Sequence, residues 1–172
     1  MKNVPTYFVM AIAVFMASCS ASSRPYSSKS LPYASMTGGK TLAIRTTAYS
    51  DKENEAGGKY GNKNAIGLPL RYGRVRSAAA DWSRFPLGTQ FRIAGDKNLY
   101  VIDDYGRELV GTNTIDIYKP SLSSMRAWGV RNVNIQVVRW GSFSQSMKVL
   151  APRTKYEHCR QMARDISRRA RI

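Results

Sequence analysis

Between Tyr100 and Tyr118 the chain runs YVIDDYGRELVGTNTIDIY. Two short runs of β-branched and aromatic residues, Tyr100 to Ile102 and Thr114 to Tyr118, bracket a segment punctuated by Gly106 and Gly111, a pattern that predicts strand, loop, strand. Side chains alternate across a strand, so Ile115 and Ile117 share one face while Thr114, Asp116 and Tyr118 share the other. A carboxylate placed this way is held on a rigid element, and where its face lines a cleft its pKa is displaced. Asp103 and Asp104 close the first run beside it.

The rest of the chain alternates as quickly. Strands are predicted over Thr41 to Tyr49, Arg74 to Trp82, Gln90 to Ala94 and Val130 to Trp140, with Gln145 to Leu150 as a further one. Pro86-Leu87-Gly88-Thr89 and Gly95-Asp96-Lys97-Asn98 read as turns. Pro120 and Ser121 offer the start of a short helix that carries Leu122, Met125 and Trp128 near one face and stops at Gly129. Asp51 to Gly73 has no periodicity and reads as a long loop or a loop with a short hairpin, either simply solvated or offering Lys59, Tyr60, Lys63, Arg71 and Tyr72 as cationic and aromatic contacts to a sugar polymer. Many short strands joined by close turns point to a mainly β fold, a small barrel rather than a sandwich or an α/β sheet.

The start of the chain speaks to location. Met1 to Ser18 carries Lys2, an apolar run from Tyr7 to Met16 and small residues before Cys19, the pattern of an export signal. Residues 1–19 are thus expected to be a lipoprotein-type signal, MASC resembling a bacterial lipobox with Cys19 as the lipidated residue, an anchor rather than a span. Residues 20–40, rich in Ser and Pro, read as a tether, 41–150 as the folded domain, and 151–172 as a basic tail. That tail sets seven Lys and Arg residues against Glu157 and Asp165 and reads as a basic amphipathic helix able to lie on an anionic surface.

The formal charge of +16 points to an anionic partner or simply to a well-solvated surface. Export and the lack of a nucleic-acid recognition motif argue against nucleic acid. Cys159 and His158 are the only Cys and His outside the leader, too few for a Cys/His zinc site or a Ser-His pair. Acid and base chemistry near neutral pH then falls to carboxylates, tyrosines or lysines, with no metal or cofactor.

Asp104-x-Gly106-x(4)-Gly111-x(4)-Asp116, followed by Tyr118, resembles the signature of the three-aspartate (3D) domain family, to which the catalytic barrel of membrane-bound lytic transglycosylase A is related. Asp81 ahead of Phe85-Pro86-Leu87-Gly88-Thr89, and Trp128-Gly129, continue the resemblance, which covers roughly Thr46 to Val138. Arg107 and Val110 stand where that family usually has Gly and Lys. The resemblance implies a six-stranded double-psi β-barrel that cleaves the MurNAc-GlcNAc β-1,4 bond of peptidoglycan as a lytic transglycosylase, or, as in other users of this barrel, a non-catalytic module that binds or loosens the wall; a monomer is expected. It also implies Asp116 as acid and then base, with Asp104 and Asp81 as partners and Thr47, Tyr49, Trp82, Gly106 and Tyr118 as substrate-binding residues. The expected setting is the periplasm, with the lipid anchor in the outer membrane. The isoleucines that flank Asp116 are expected to raise its pKa through desolvation, and like charges close together to raise one pKa of the pair.

Overall fold

The computed structural model describes residues 41–53 and 61–169. Six strands form one closed, mainly β barrel: β1 (Thr41–Tyr49), β2 (Val75–Ala79), β3 (Gln90–Ile93), β4 (Leu99–Asp104), β5 (Ile115–Tyr118) and β6 (Arg131–Arg139). Three α-helices accompany them among the described residues: α1 (Leu122–Trp128), α2 (Phe143–Leu150) and α3 (Glu157–Arg169). Around the barrel the order is β1-β5-β2-β4-β3-β6. β1 runs parallel to β5 and β2 to β4, and the remaining neighbours are antiparallel. Closure leaves no unpaired edge to blunt.

Alternation fixes which face goes inside. Ile44 and Thr46 of β1 are buried while Ala43 and Arg45 are exposed, and Ile115 and Ile117 of β5 are fully buried. Phe91 stacks on Tyr100 in the barrel interior at 5.3 Å between ring centroids, with Ile93, Ile102 and Ile135 in the same cluster. Export and lipidation concern residues outside those described, and no described helix is long and apolar enough to cross a membrane.

Two expectations change at the C-terminal end. Gln145 to Leu150 belongs to a helix, α2, because Ser142 caps it by accepting from the Gln145 N–H at 3.1 Å, and Ser146 and Leu150 return to the core at helical spacing. The tail does form a basic amphipathic helix, but its apolar stripe is already occupied. Cys159, Met162, Ala163 and Ile166 are buried in the cluster that holds Trp82 and Phe85, so α3 is part of the domain and only its arginine face meets solvent. Arg160 and Arg164 pair there with Glu157.

Gly141 locks α2 to the Pro86–Thr89 turn. A Cβ at this position would lie 2.2 Å from the Leu87 carbonyl oxygen and 2.4 Å from that of Pro86, both backbone atoms that have little freedom to move. Three hydrogen bonds close the same joint: Ser142 N to Leu87 O, Gly141 N to Thr89 Oγ1, and Leu87 N to Ser146 Oγ. Gly141→Ala should therefore cost about 2 kcal/mol or more in urea unfolding, as overpacking does. Gly73→Ala, with no heavy atom within 4 Å of its added carbon, should stay within about 0.5 kcal/mol.

Candidate active site

Four adjacent strands bring a polar row together. Thr47 of β1 pairs with Asp116 of β5, Asp116 with Ala79 of β2, and Ala79 with Asp104 of β4. Cross-strand partners share a face, so Thr47, Asp116 and Asp104 stand in line with a single methyl group between the two carboxylates. Between Ala78 and Ala79 the β2–β4 register slips: Ala78 pairs with Ile102 and Ala79 with Asp104, which passes over Asp103. Ile102 is buried in the barrel core, and without the extra residue Asp104 would share its inward face. The bulge turns Asp104 outward into the row.

The hydrogen bonds of the two carboxylates differ. Asp104 has both oxygens engaged: Oδ1 accepts the Tyr105 N–H at 2.9 Å and Oδ2 the Tyr49 hydroxyl at 3.3 Å. Asp116 Oδ1 accepts the Thr47 hydroxyl at 2.6 Å, and among the described side chains none bonds its Oδ2. Tyr49 reaches Asp104 from β1, two residues beyond Thr47, and its ring leans on Tyr118 at 5.6 Å.

Both carboxylates are held protonated to unusually high pH. Burial pushes Asp104 up to about 7, against the lowering effect of its Tyr105 and Tyr49 hydrogen bonds, and the Asp103 charge adds to the rise. Burial likewise pushes Asp116 up to about 6, opposed by the Thr47 hydrogen bond and assisted by Glu53. Of the two expected causes, desolvation is the one that acts, and the other carboxylate of the pair is not among the causes for either group. Removal from water dominates, and each has its own acidic neighbour. The Tyr49 phenol is raised well above 10.0 by burial and by the nearby Asp104, Asp103 and Asp116 charges.

The other expected site residues lie apart from this pair. Asp81 is 1% exposed and spends both oxygens on loop backbone, accepting the Ser83 N–H at 2.8 Å and the Gly111 N–H at 2.7 Å, with Arg84 at 3.7 Å. It ties the β4–β5 loop to the β2–β3 connection, so its work is to hold the frame in which Asp104 and Asp116 sit. Trp82 is fully buried, its indole N–H donating to the Asp104 carbonyl at 2.9 Å and its ring edge-on to Tyr105. With no free ring face it cannot stack on a sugar, and it is corrected to a core residue that braces the Asp104 backbone. Gly106 opens the β4–β5 loop in an extended conformation against Leu109. Tyr118 is 6% exposed and donates to Asp51 at 3.1 Å.

Asp103 belongs to the long loop. Its Oδ2 accepts from Ser77 Oγ at 2.9 Å, Asn64 Nδ2 at 3.0 Å and Arg71 Nη2 at 3.1 Å. Asn64 in turn accepts the Ile66 and Leu68 N–H groups, so the segment from Asn64 to Arg71 is pinned beside Asp104. Lys63, Tyr72 and Arg71 are exposed on it, whereas Lys59, Tyr60 and Cys19 lie outside the described residues. Glu53, Ala79 and the Asn64–Ser77–Asp103 anchor are site features that no motif announced. The small run Ala78-Ala79-Ala80 was the available signal, since two carboxylates come this close across a strand only where its side chain is small.

Among the described residues no group of three His, Cys, Asp or Glu side chains is placed to hold a metal ion. Two surface concavities follow α3, one lined by Arg160, Arg164 and Arg168 and one by Arg107, Tyr156 and His158, rather than the carboxylate row. No protein-family model matches the chain, and no curated protein matches it.

Proposed function

We propose that this protein cleaves the β-1,4 bond between MurNAc and GlcNAc in peptidoglycan as a lytic transglycosylase, on a double-psi version of its barrel. The observation that carries this is the half-buried row in which Asp116, raised to about 6, accepts the Thr47 hydroxyl while Asp104, hydrogen-bonded to Tyr49 and Tyr105, stands beside it. A carboxylic acid that keeps its proton toward neutral pH is what this chemistry needs. Asp116 gives its proton to the glycosidic oxygen as the C1–O bond breaks, and the leaving GlcNAc departs with a 4-hydroxyl. The ionised Asp116 then takes the proton of the MurNAc C6 hydroxyl, whose oxygen bonds to C1 and closes a 1,6-anhydro ring. Atoms balance without water, and Asp116 ends protonated again. Asp104, its oxygens fixed by Tyr49 and Tyr105, orients Asp116 and keeps its own proton throughout, offering its carboxyl dipole to the positive character that grows at C1.

The location belongs to the same proposal: the MASC run at Met16 to Cys19 supports export and a lipid on Cys19, which would hold the barrel against the wall from the periplasmic side of the outer membrane. Digestion of purified sacculi, with products read by mass spectrometry, is the test. Products lighter by one water, the 1,6-anhydromuropeptides, are expected. Products with ordinary reducing ends would instead make the enzyme a hydrolase, and sedimentation with sacculi without any release would make it a binding module.

The Thr47 hydrogen bond offers a finer check. It lowers the Asp116 pKa, so Thr47→Val raises it. The acid must be protonated to act, which means kcat/KM falls as pH rises through about 6 in the wild type. In Thr47→Val that descending limb should move to higher pH. A limb that stays in place would separate Thr47 from the acid.

A further inference from the structure

Beside the carboxylate row lies a cluster of cations with too few anions. Lys119 follows β5 three residues after Asp116, no more than about 11 Å along the chain. It is only 6% exposed. Its Nζ sits 4.2 Å from the ring centre of Trp128 and 5.7 Å from that of Tyr72. The Arg76 guanidinium covers Tyr72 at 4.4 Å and the Arg131 guanidinium covers Trp128 at 4.3 Å. Cations and aromatic rings thus alternate in the order Arg76, Tyr72, Lys119, Trp128, Arg131. Tyr72 also meets Tyr118 edge-on at 6.3 Å, and Tyr118 leans on Tyr49, so the ladder is continuous with the acid site.

Aromatic faces attract cations, but each is worth only about 0.5–2 kcal/mol, too little to repay burial of an ammonium between two guanidinium groups. Burial, with repulsion by Arg76 and Arg131, lowers the Lys119 pKa. The carboxylate that acts on it, Asp96, is committed elsewhere: it accepts from Tyr100 at 2.6 Å and from the Asn98 N–H at 2.8 Å. Arg131 is partly spent on the end of α1, donating to the Trp128 carbonyl at 2.8 Å. The Trp128 indole N–H is buried and has no acceptor among the described residues. Among the described residues, donors here outnumber acceptors.

We propose that Lys119, with Arg76 and Arg131, binds a carboxylate of the peptide stem carried by the glycan next to the bond being cut. This rests on the peptidoglycan reading above and adds a subsite to it. A single ammonium recessed between two rings fits one planar carboxylate, whereas a chain of phosphates would need an open cationic groove. The subsite makes the enzyme prefer strands whose stems keep free carboxylates.

The test follows the Trp128 indole N–H resonance in 15N-labelled protein during titration with a wall-derived disaccharide tetrapeptide, with its amidated form, and with acetate. The disaccharide lacks the scissile MurNAc-GlcNAc linkage, so turnover does not interfere. A shifted Trp128 resonance is expected with the tetrapeptide and, at higher concentration, with acetate. Amidation, Lys119→Gln or Arg76→Gln should each weaken tetrapeptide binding about tenfold, the loss of one charge-assisted hydrogen bond. A Trp128 resonance that responds to neither ligand overturns the proposal, and so does equal binding of the free and amidated forms. Failure of the parent reading shows elsewhere, as intact sacculi in the digestion experiment.

Discussion

Asp116→Asn is expected to cut the release of 1,6-anhydromuropeptides from sacculi by about 1,000-fold or more while sedimentation with sacculi is unchanged. General acid and base steps are each worth about 100- to 10,000-fold, and here one side chain performs both in succession. Asparagine keeps the shape and can still accept from the Thr47 hydroxyl, which now bonds Asp116 at 2.6 Å, so the row should survive. What is lost is the proton and the charge that later recovers one. Burial holds Asp116 near 6, so the wild type should be most active in mild acid and lose about tenfold per pH unit above that value. Product release by Asp116→Asn at more than a tenth of the wild-type rate would remove Asp116 from the mechanism.

Asp104→Asn should lose activity and gain stability. The folded protein raises Asp104 from an ordinary 3.8 to about 7 through burial, so the folded state holds this proton more tightly than the unfolded chain does. Stability from that proton is complete below about pH 4 and is lost as pH rises through 7, reaching about 4 kcal/mol, at about 1.4 kcal/mol per unit. Asparagine never ionises and escapes this loss, but it weakens the bonds from Tyr49 and Tyr105, which returns about 1–2 kcal/mol. The variant should therefore melt about 5–10 °C above the wild type at pH 8, an advantage that disappears toward pH 4, where only the cost of the weakened bonds remains. A variant that melts below the wild type at pH 8 would mean that the Asp104 carboxylate is better solvated than its burial indicates. Such a gain on removing a functional acid is the usual exchange of stability for activity.

Much of the barrel was legible from short range. β1 and β6 were bounded within about a residue, β1 by its β-branched content and β6 because Val133, Ile135 and Val137 alternate with Asn132, Asn134 and Gln136. α1 announced itself through Ser121, which accepts from Ser124 N, and through Gly129 at its end. Residues 145–150 misled because Met147, Val149 and Leu150 suit a strand as well as a helix; the Ser142 cap and the depth at which Ser146 meets the Leu87 N–H decide for the helix. The tail misled for a related reason. Its apolar stripe was visible, but a stripe does not say what covers it, and Trp82 with Phe85 does.

By itself the sequence determined the alternation that puts Ile115 and Ile117 inside and Asp116 outside, because a strand has a period of two whatever it pairs with. It could not determine that Asp104 joins Asp116 across Ala79. The one-residue slip past Asp103 depends on which strand lies alongside and on Ser77, Asn64 and Arg71 claiming Asp103, contacts between residues 26 to 39 positions apart. Local chemistry writes the faces of each strand, and only closure of the barrel chooses which carboxylates meet and which are buried deeply enough to keep a proton near neutral pH.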